Sequence, residues 1–227
     1  MRDFRHVVFD LDGTLVDSLR DIGAAVNDAL AQVAPGTPPL AFAEIHSFVG
    51  DGPEVLLTRS LAAACLEQRV EDVLPLYLAA YHRRMLETTA FYPGVLEALD
   101  GLRDLSLAVL TNKPGDLSRA LLLGLGEAHR FALIWGGGDV PGKKPDPRGL
   151  LRLMAELDAR PEETAMVGDS SVDMGAGQAA GCFTVGVTYG FDAPGVLATR
   201  PDAVLDDLRD LRSALERRED ASIPRPE

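Results

Sequence analysis

The chain has 227 residues and a formal charge of −13, from 22 basic and 35 acidic side chains, which excludes a general nucleic-acid or anionic-membrane surface because both need basic patches. Any phosphate site must therefore be made positive locally, by a metal ion, a lysine or aimed backbone N–H groups. With 46% apolar residues, a chain of this length suits one soluble α/β domain plus one modest inserted unit.

The first strand-like run is residues 7–9, and it breaks at once into Asp10-Leu11-Asp12-Gly13-Thr14. Two carboxylates two residues apart, where a buried strand turns, occupy the position at which an open α/β sheet carries its chemistry. The next strand-like run comes only at residues 107–110, so about 90 residues separate it from Phe9, far more than one crossover helix needs. That interval carries three amphipathic stripes: Ile22, Val26, Ala29, Leu30 and Val33; Leu57, Leu61, Ala64 and Cys65; and Leu74, Tyr77, Leu78, Tyr81 and Met85. They predict a helical bundle over residues 17–91 inserted into a core made of residues 1–16 and 92–227. Pro75 predicts that the third helix starts near it or kinks there. Pro35, Pro38 and Pro39 mark a loop, and Tyr92-Pro93-Gly94 the return to the core.

Further strand-like runs at residues 132–135, 165–167, 183–187 and 203–205 alternate with helical patterns. The alternation predicts βαβ units and a doubly wound, Rossmann-like parallel sheet. Val95, Leu99 and Leu102, and then Leu150, Leu153, Met154 and Leu157, give helix stripes that cover it. Beyond about Arg217 the chain is charged and contains Pro224 and Pro226, as a flexible tail would. Cys65 and Cys182 have no metal-ligand spacing and read as buried small hydrophobes in a reducing compartment. Without an apolar run long enough for a bilayer or a leader's apolar region, a cytoplasmic protein is expected.

Four short segments carry groups capable of chemistry: Asp10 to Thr14, Thr111-Asn112, Lys144-Pro145, and Gly168-Asp169 with Asp173 four residues on. Singly, each also fits a solvated turn or a helix cap. Together they supply carboxylates, a hydroxyl and a cation for one site, and sheet topology brings such strand ends together.

This ordered set resembles the four motifs of the haloacid dehalogenase-like hydrolase superfamily, and residues 17–91 resemble that family's cap domain. The resemblance implies that Asp10 is the nucleophile and Asp12 the general acid and base. Thr111 and the backbone N–H of Asn112 would hold phosphate oxygens while Lys144 neutralises charge. Mg²⁺ would be bound by the Asp10 carboxylate, the Asp12 carbonyl and Asp169, with Asp173 supporting them from behind. Lys113 and Lys143 are read as bystanders, because Lys144 stands immediately before Pro145.

Asp12 argues against a dehalogenase, since only an alkoxide leaving group needs a proton donor. Val49-Gly50-Asp51-Gly52, Tyr92-Pro93-Gly94-Val95 and Thr111-Asn112-Lys113-Pro114 further resemble bacterial phosphoglycolate phosphatases. These commonly carry an arginine where this chain has His46, while Arg59 matches their pattern. The implied enzyme is a phosphatase of a small phosphorylated metabolite, 2-phosphoglycolate foremost, acting as monomer or homodimer. Pyrophosphate, a nucleotide or a sugar phosphate, a phosphoglucomutase reaction, and a non-catalytic binder are the alternatives.

Overall fold

The computed structural model describes residues 3–216; the expected tail from Arg217 onward lies outside them. In chain order the elements are β1 (His6–Phe9), β2 (Val16–Asp17), α1 (Leu19–Val33), α2 (Phe42–His46), α3 (Pro53–Ala63), α4 (Val70–Arg84), β3 (Ala90–Phe91) and α5 (Val95–Asp100). There follow β4 (Ser106–Pro114), α6 (Gly115–Gly124), β5 (Leu133–Gly137), α7 (Arg148–Glu156), β6 (Thr164–Gly168) and α8 (Ser171–Ala180). The chain continues through β7 (Phe183–Val187), α9 (Ala193–Thr199), β8 (Ala203–Leu205) and α10 (Leu211–Glu216).

Six strands form one parallel sheet in the order β5-β4-β1-β6-β7-β8. From β1 the chain winds first toward β4 and β5 and then returns to β6, β7 and β8 on the other side. The order therefore reverses at β1, and the crevice beyond its carboxyl end is where such a sheet takes its ligand. Phe9 is in register with Val109 on one side and Val167 on the other, so the residues just after them arrive at one edge. Val7, Val8 and Phe9 are fully buried, as a central strand covered on both faces requires.

The inserted segment is helical, as its stripes predict. On α1 the buried residues Ile22, Ala25, Val26, Ala29 and Leu30 recur at helical spacing, and α1 packs chiefly on α4, where Val73, Tyr77, Ala80 and Tyr81 are buried. Two local details bear on the expectations for this segment. Helix α4 begins at Val70, five residues before Pro75, which lies inside it. Helix α3 ends at Ala63, and Cys65 follows at φ 53° and is exposed, whereas Cys182 is buried as expected.

The insert joins the sheet through an antiparallel two-stranded ribbon of β2 and β3, pairing Val16 with Phe91 and Asp17 with Ala90. Beside the ribbon the buried Asp21 carboxylate accepts hydrogen bonds from the backbone N–H and hydroxyl groups of both Thr88 and Thr89, at 2.6–3.1 Å. Among the described residues, no helix is long and apolar enough to cross a membrane.

Candidate active site

Asp10 follows β1 directly, and its backbone N–H donates to Val167 O at 2.9 Å, which extends the ladder by one step. The turn after it needs Gly13, at φ 89°, because a Cβ there would collide with the Asp169 carboxylate. Asp169 follows β6 and is held between Thr14 Oγ1, donating at 2.8 Å, and the backbone N–H of Phe191, donating at 2.7 Å. Asp173 belongs to a capping box at the start of α8: its carboxylate accepts from the backbone N–H and hydroxyl of the N-cap residue Ser170.

Lys144 ties these elements together. Its Nζ lies 2.7 Å from Asp10 Oδ1 and 2.7 Å from Asp173 Oδ1, and donates to Leu110 O at 2.7 Å. The loop carrying it is fixed by the Asn112 side chain, whose Oδ1 accepts from Lys144 N at 2.9 Å and whose Nδ2 donates to the carbonyls of Gly50 and Lys144. Asn112 thus does structural work with its side chain that the motif alone does not show. Thr111, Asn112 and Lys113 fall within a register shift of β4 between Leu110 and Pro114, an irregularity that re-aims side chains at the sheet's edge.

Asp10, Asp169 and Asp173 each present a carboxylate oxygen, all within 4.8 Å of one another. Burial pushes the Asp10 carboxyl up to about 6 despite the opposing Lys144 charge. Burial, reinforced by Asp173 and Asp10, raises Asp169 well above the usual carboxylate range. Burial alone would lower Lys144, but the two carboxylates hold it above an ordinary lysine. Four carboxylates, counting Asp12, face two ammonium groups, those of Lys113 and Lys144, so two negative charges are left over. A hard divalent cation among carboxylate oxygens fits that deficit.

The Asp12 side chain stands apart from this cluster. Ser18 Oγ donates to it at 2.5 Å, and Lys113 Nζ lies 2.9 Å from both of its oxygens and 2.7 Å from Tyr81 Oη. Lys113, read from sequence as a bystander, is therefore a corrected assignment: it is buried in the site. A cationic residue at a strand end gives no sequence signal for that. Lys143 instead pairs with Glu54 of α3 at 2.5 Å.

A cavity lies between the sheet edge and the insert, lined by Asp10, Asp12, Thr111, Asn112 and Lys113 on one side and by Ile22, Gly50, Leu56, Tyr77 and Tyr81 on the other. His46 and Arg59 are not among its lining residues. The His46 ring packs edge-on against Phe191 at 5.4 Å, and Arg59 pairs with Asp51 at 2.7 Å and donates to Phe48 O.

An aspartate at a strand end, a lysine bridging it to a second aspartate and a third carboxylate beside them form the kind of site a hydrolase carries, and residues 7–187 match the family model of the haloacid dehalogenase-like hydrolases. The chain belongs to that family. Among its relatives is the phosphoglycolate phosphatase of Pseudomonas putida, 40% identical over 91% of this chain and 78% of that protein. The Haemophilus influenzae phosphoglycolate phosphatase is 36% identical over 93% of this chain and 98% of its own. Among solved structures, a predicted phosphoglycolate phosphatase from Haemophilus somnus superposes with a TM-score of 0.88 at 32% identity, covering 94% of this chain and 98% of that one. The chain is a phosphatase of this family, phosphoglycolate phosphatase-like in sequence.

Proposed function

We propose that the protein is a Mg²⁺-dependent phosphatase of a small acidic phosphate monoester, 2-phosphoglycolate foremost, working through a phosphoryl group carried on Asp10. The observation that carries this reading is the Asp10–Lys144–Asp173 bridge, 2.7 Å on each side, with Asp12 close by but held in a separate environment.

In the first half-reaction an Asp10 carboxylate oxygen attacks phosphorus. The P–O bond to the substrate's alcohol breaks, and the leaving oxygen takes the proton of the Asp12 carboxyl. In the second, water attacks the same phosphorus while Asp12 accepts its proton. The P–O bond to Asp10 breaks, releasing inorganic phosphate and restoring the Asp10 carboxylate and the protonated Asp12 carboxyl. Lys144 offsets charge on Asp10 and on the phosphoryl oxygens, and Asp173 fixes the direction of its ammonium group. Thr111 Oγ1 and the backbone N–H of Asn112 are the donors for the phosphoryl oxygens. Asp10, Asp169 and the Asp12 carbonyl would hold Mg²⁺, which supplies charge neutralisation at the phosphoryl group.

The helices of residues 17–91 serve as a cap over this crevice, moving on the β2–β3 ribbon to exchange substrate and exclude water. Phosphate release from a panel of monoesters, with and without EDTA, tests the proposal. Preference for a small acidic ester, abolished by EDTA, is expected. Preference for a nucleotide, a sugar phosphate or pyrophosphate overturns the substrate assignment, and metal-independent turnover overturns the mechanism.

A further inference from the structure

We infer that Lys113 is the residue that recognises a second anionic group on the substrate, a carboxylate, and so sets a preference for acidic over neutral phosphate esters; this rests on the phosphatase reading above and names its specificity determinant. Among the described residues lining the cavity, Lys113 carries the one cationic side chain. The same cavity is lined by the apolar Ile22, Leu56 and Leu117 and by the carboxylates Asp10 and Asp12, which would repel a second anion that no cation met. An ionised carboxylate entering such a chamber loses its hydration and is stable there only where a cation meets it.

The other cations near the site are engaged elsewhere. Lys144 is held by Asp10 and Asp173, Lys143 by Glu54 and Arg59 by Asp51. His46 lies against Phe191, outside the lining.

Lys113 is also built to stay in place without substrate. Its side chain is 6% exposed, and its Nζ sits 2.9 Å from both Asp12 oxygens, 2.7 Å from Tyr81 Oη and 4.2 Å from the centre of the Tyr81 ring. Tyr81 therefore anchors the ammonium group through both its hydroxyl and its ring face. An ammonium group has three donors, and two of them are shared with one carboxylate, that of Asp12. An incoming substrate carboxylate takes one of those two positions, leaving Asp12 held by Ser18 and the remaining Lys113 contact. Since Lys113 follows Thr111 by two residues on the same strand, the phosphoryl donor and the carboxylate partner share one rigid support. That arrangement favours a short substrate over a long one.

The test compares kcat and KM for 2-phosphoglycolate and for ethyl phosphate, a neutral-tailed monoester of similar size, in wild type, Lys113→Met, Lys113→Gln and Lys113→Arg. All measurements use saturating Mg²⁺, and folding is verified by thermal melting. Lys113→Met is expected to slow both substrates, because Asp12 loses a partner. The ratio of their kcat/KM values, acidic over neutral, is expected to fall about 10- to 100-fold, carried by KM, as loss of a charge-assisted hydrogen bond gives. Lys113→Gln, which keeps hydrogen bonding to Asp12 and Tyr81, should show the same collapse and carries the test if the Met variant does not fold. Lys113→Arg should recover part of the ratio.

A ratio unchanged in the Met and Gln variants, with both substrates slowed equally, overturns the inference and leaves Lys113 as a partner of Asp12 alone. A wild-type enzyme without preference for the acidic ester overturns the substrate reading and this inference together, so the two failures are distinguishable.

Discussion

Replacing Asp21 by Asn perturbs the joint between the helical insert and the sheet without touching the catalytic groups. The Asp21 carboxylate is 1% exposed and accepts from two backbone N–H groups and two hydroxyls of Thr88 and Thr89. An Asn amide keeps one oxygen but turns an NH₂ toward those donors. With its oxygen in the Oδ2 position the amide still accepts from both backbone N–H groups. Its NH₂ then takes the Oδ1 position, where the Thr88 hydroxyl can rotate to accept from it but the Thr88 backbone N–H, 3.1 Å away, faces it donor to donor. That donor-to-donor contact and the charge assistance lost from the remaining bonds together cost about 2–4 kcal/mol. For a chain of this size that lowers Tm by about 4–16 °C.

The pH dependence follows from the direction of the Asp21 shift. Burial alone would raise its pKa, but hydrogen bonds from Thr88 and Thr89 more than reverse this and leave it lowered. Its contribution to stability is therefore complete above the unfolded-state value of roughly 3.9 and is lost as pH falls through the folded-state value. Differential scanning calorimetry from neutral to acid pH should show the wild-type advantage at neutral pH closing in that acid window. A Tm difference below about 1 °C at pH 7, or a gap that widens on acidification, would refute the clamp.

Other outcomes bear on the site itself. Asp12→Ala, assayed with p-nitrophenyl phosphate, whose leaving group needs no proton, should release a burst of one nitrophenolate per site and then stall, while alkyl esters slow by about 10²- to 10⁴-fold; equal, burst-free rates would contradict its double role. Mg²⁺ at about 100 times its Kd should stabilise the wild type by about 2.7 kcal/mol, and Asp169→Asn should lose most of that gain in a melting experiment. An undiminished gain in the variant would remove Asp169 from the metal site. Gly13→Ala, strained at φ 89° and pressed against the Asp169 carboxylate, should fold yet lose about tenfold or more in kcat; full activity would show that the turn tolerates displacement.

Much of this architecture is legible along the chain because its parallel strands are buried on both faces and so read as apolar runs, as Val7, Val8 and Phe9 do. The insert is legible for a related reason: about 90 residues between strand-like runs must form something of their own. The β2–β3 ribbon escapes sequence reading, since two residues per strand leave no period to detect. Cys65 misleads because it continues the α3 stripe by one place although the helix has already ended. Asp10, Lys144, Asp169 and Asp173 are recognisable as a set, and the sheet register brings them together. The Lys113–Asp12–Tyr81 contact joins residues 32 and 101 positions apart in the chain. No local pattern encodes it, and only the packing of α4 over the strand edge creates it.

The most direct test is to quench the enzyme in acid during turnover of phosphate-labelled 2-phosphoglycolate with Mg²⁺, reduce it with borohydride and map the modified peptide. Label on wild type, with Asp10 converted to homoserine, and neither label nor phosphate release from Asp10→Asn are the expected results. Phosphate release by Asp10→Asn at the wild-type rate, or label on any other residue, would contradict Asp10 as the phosphoryl carrier.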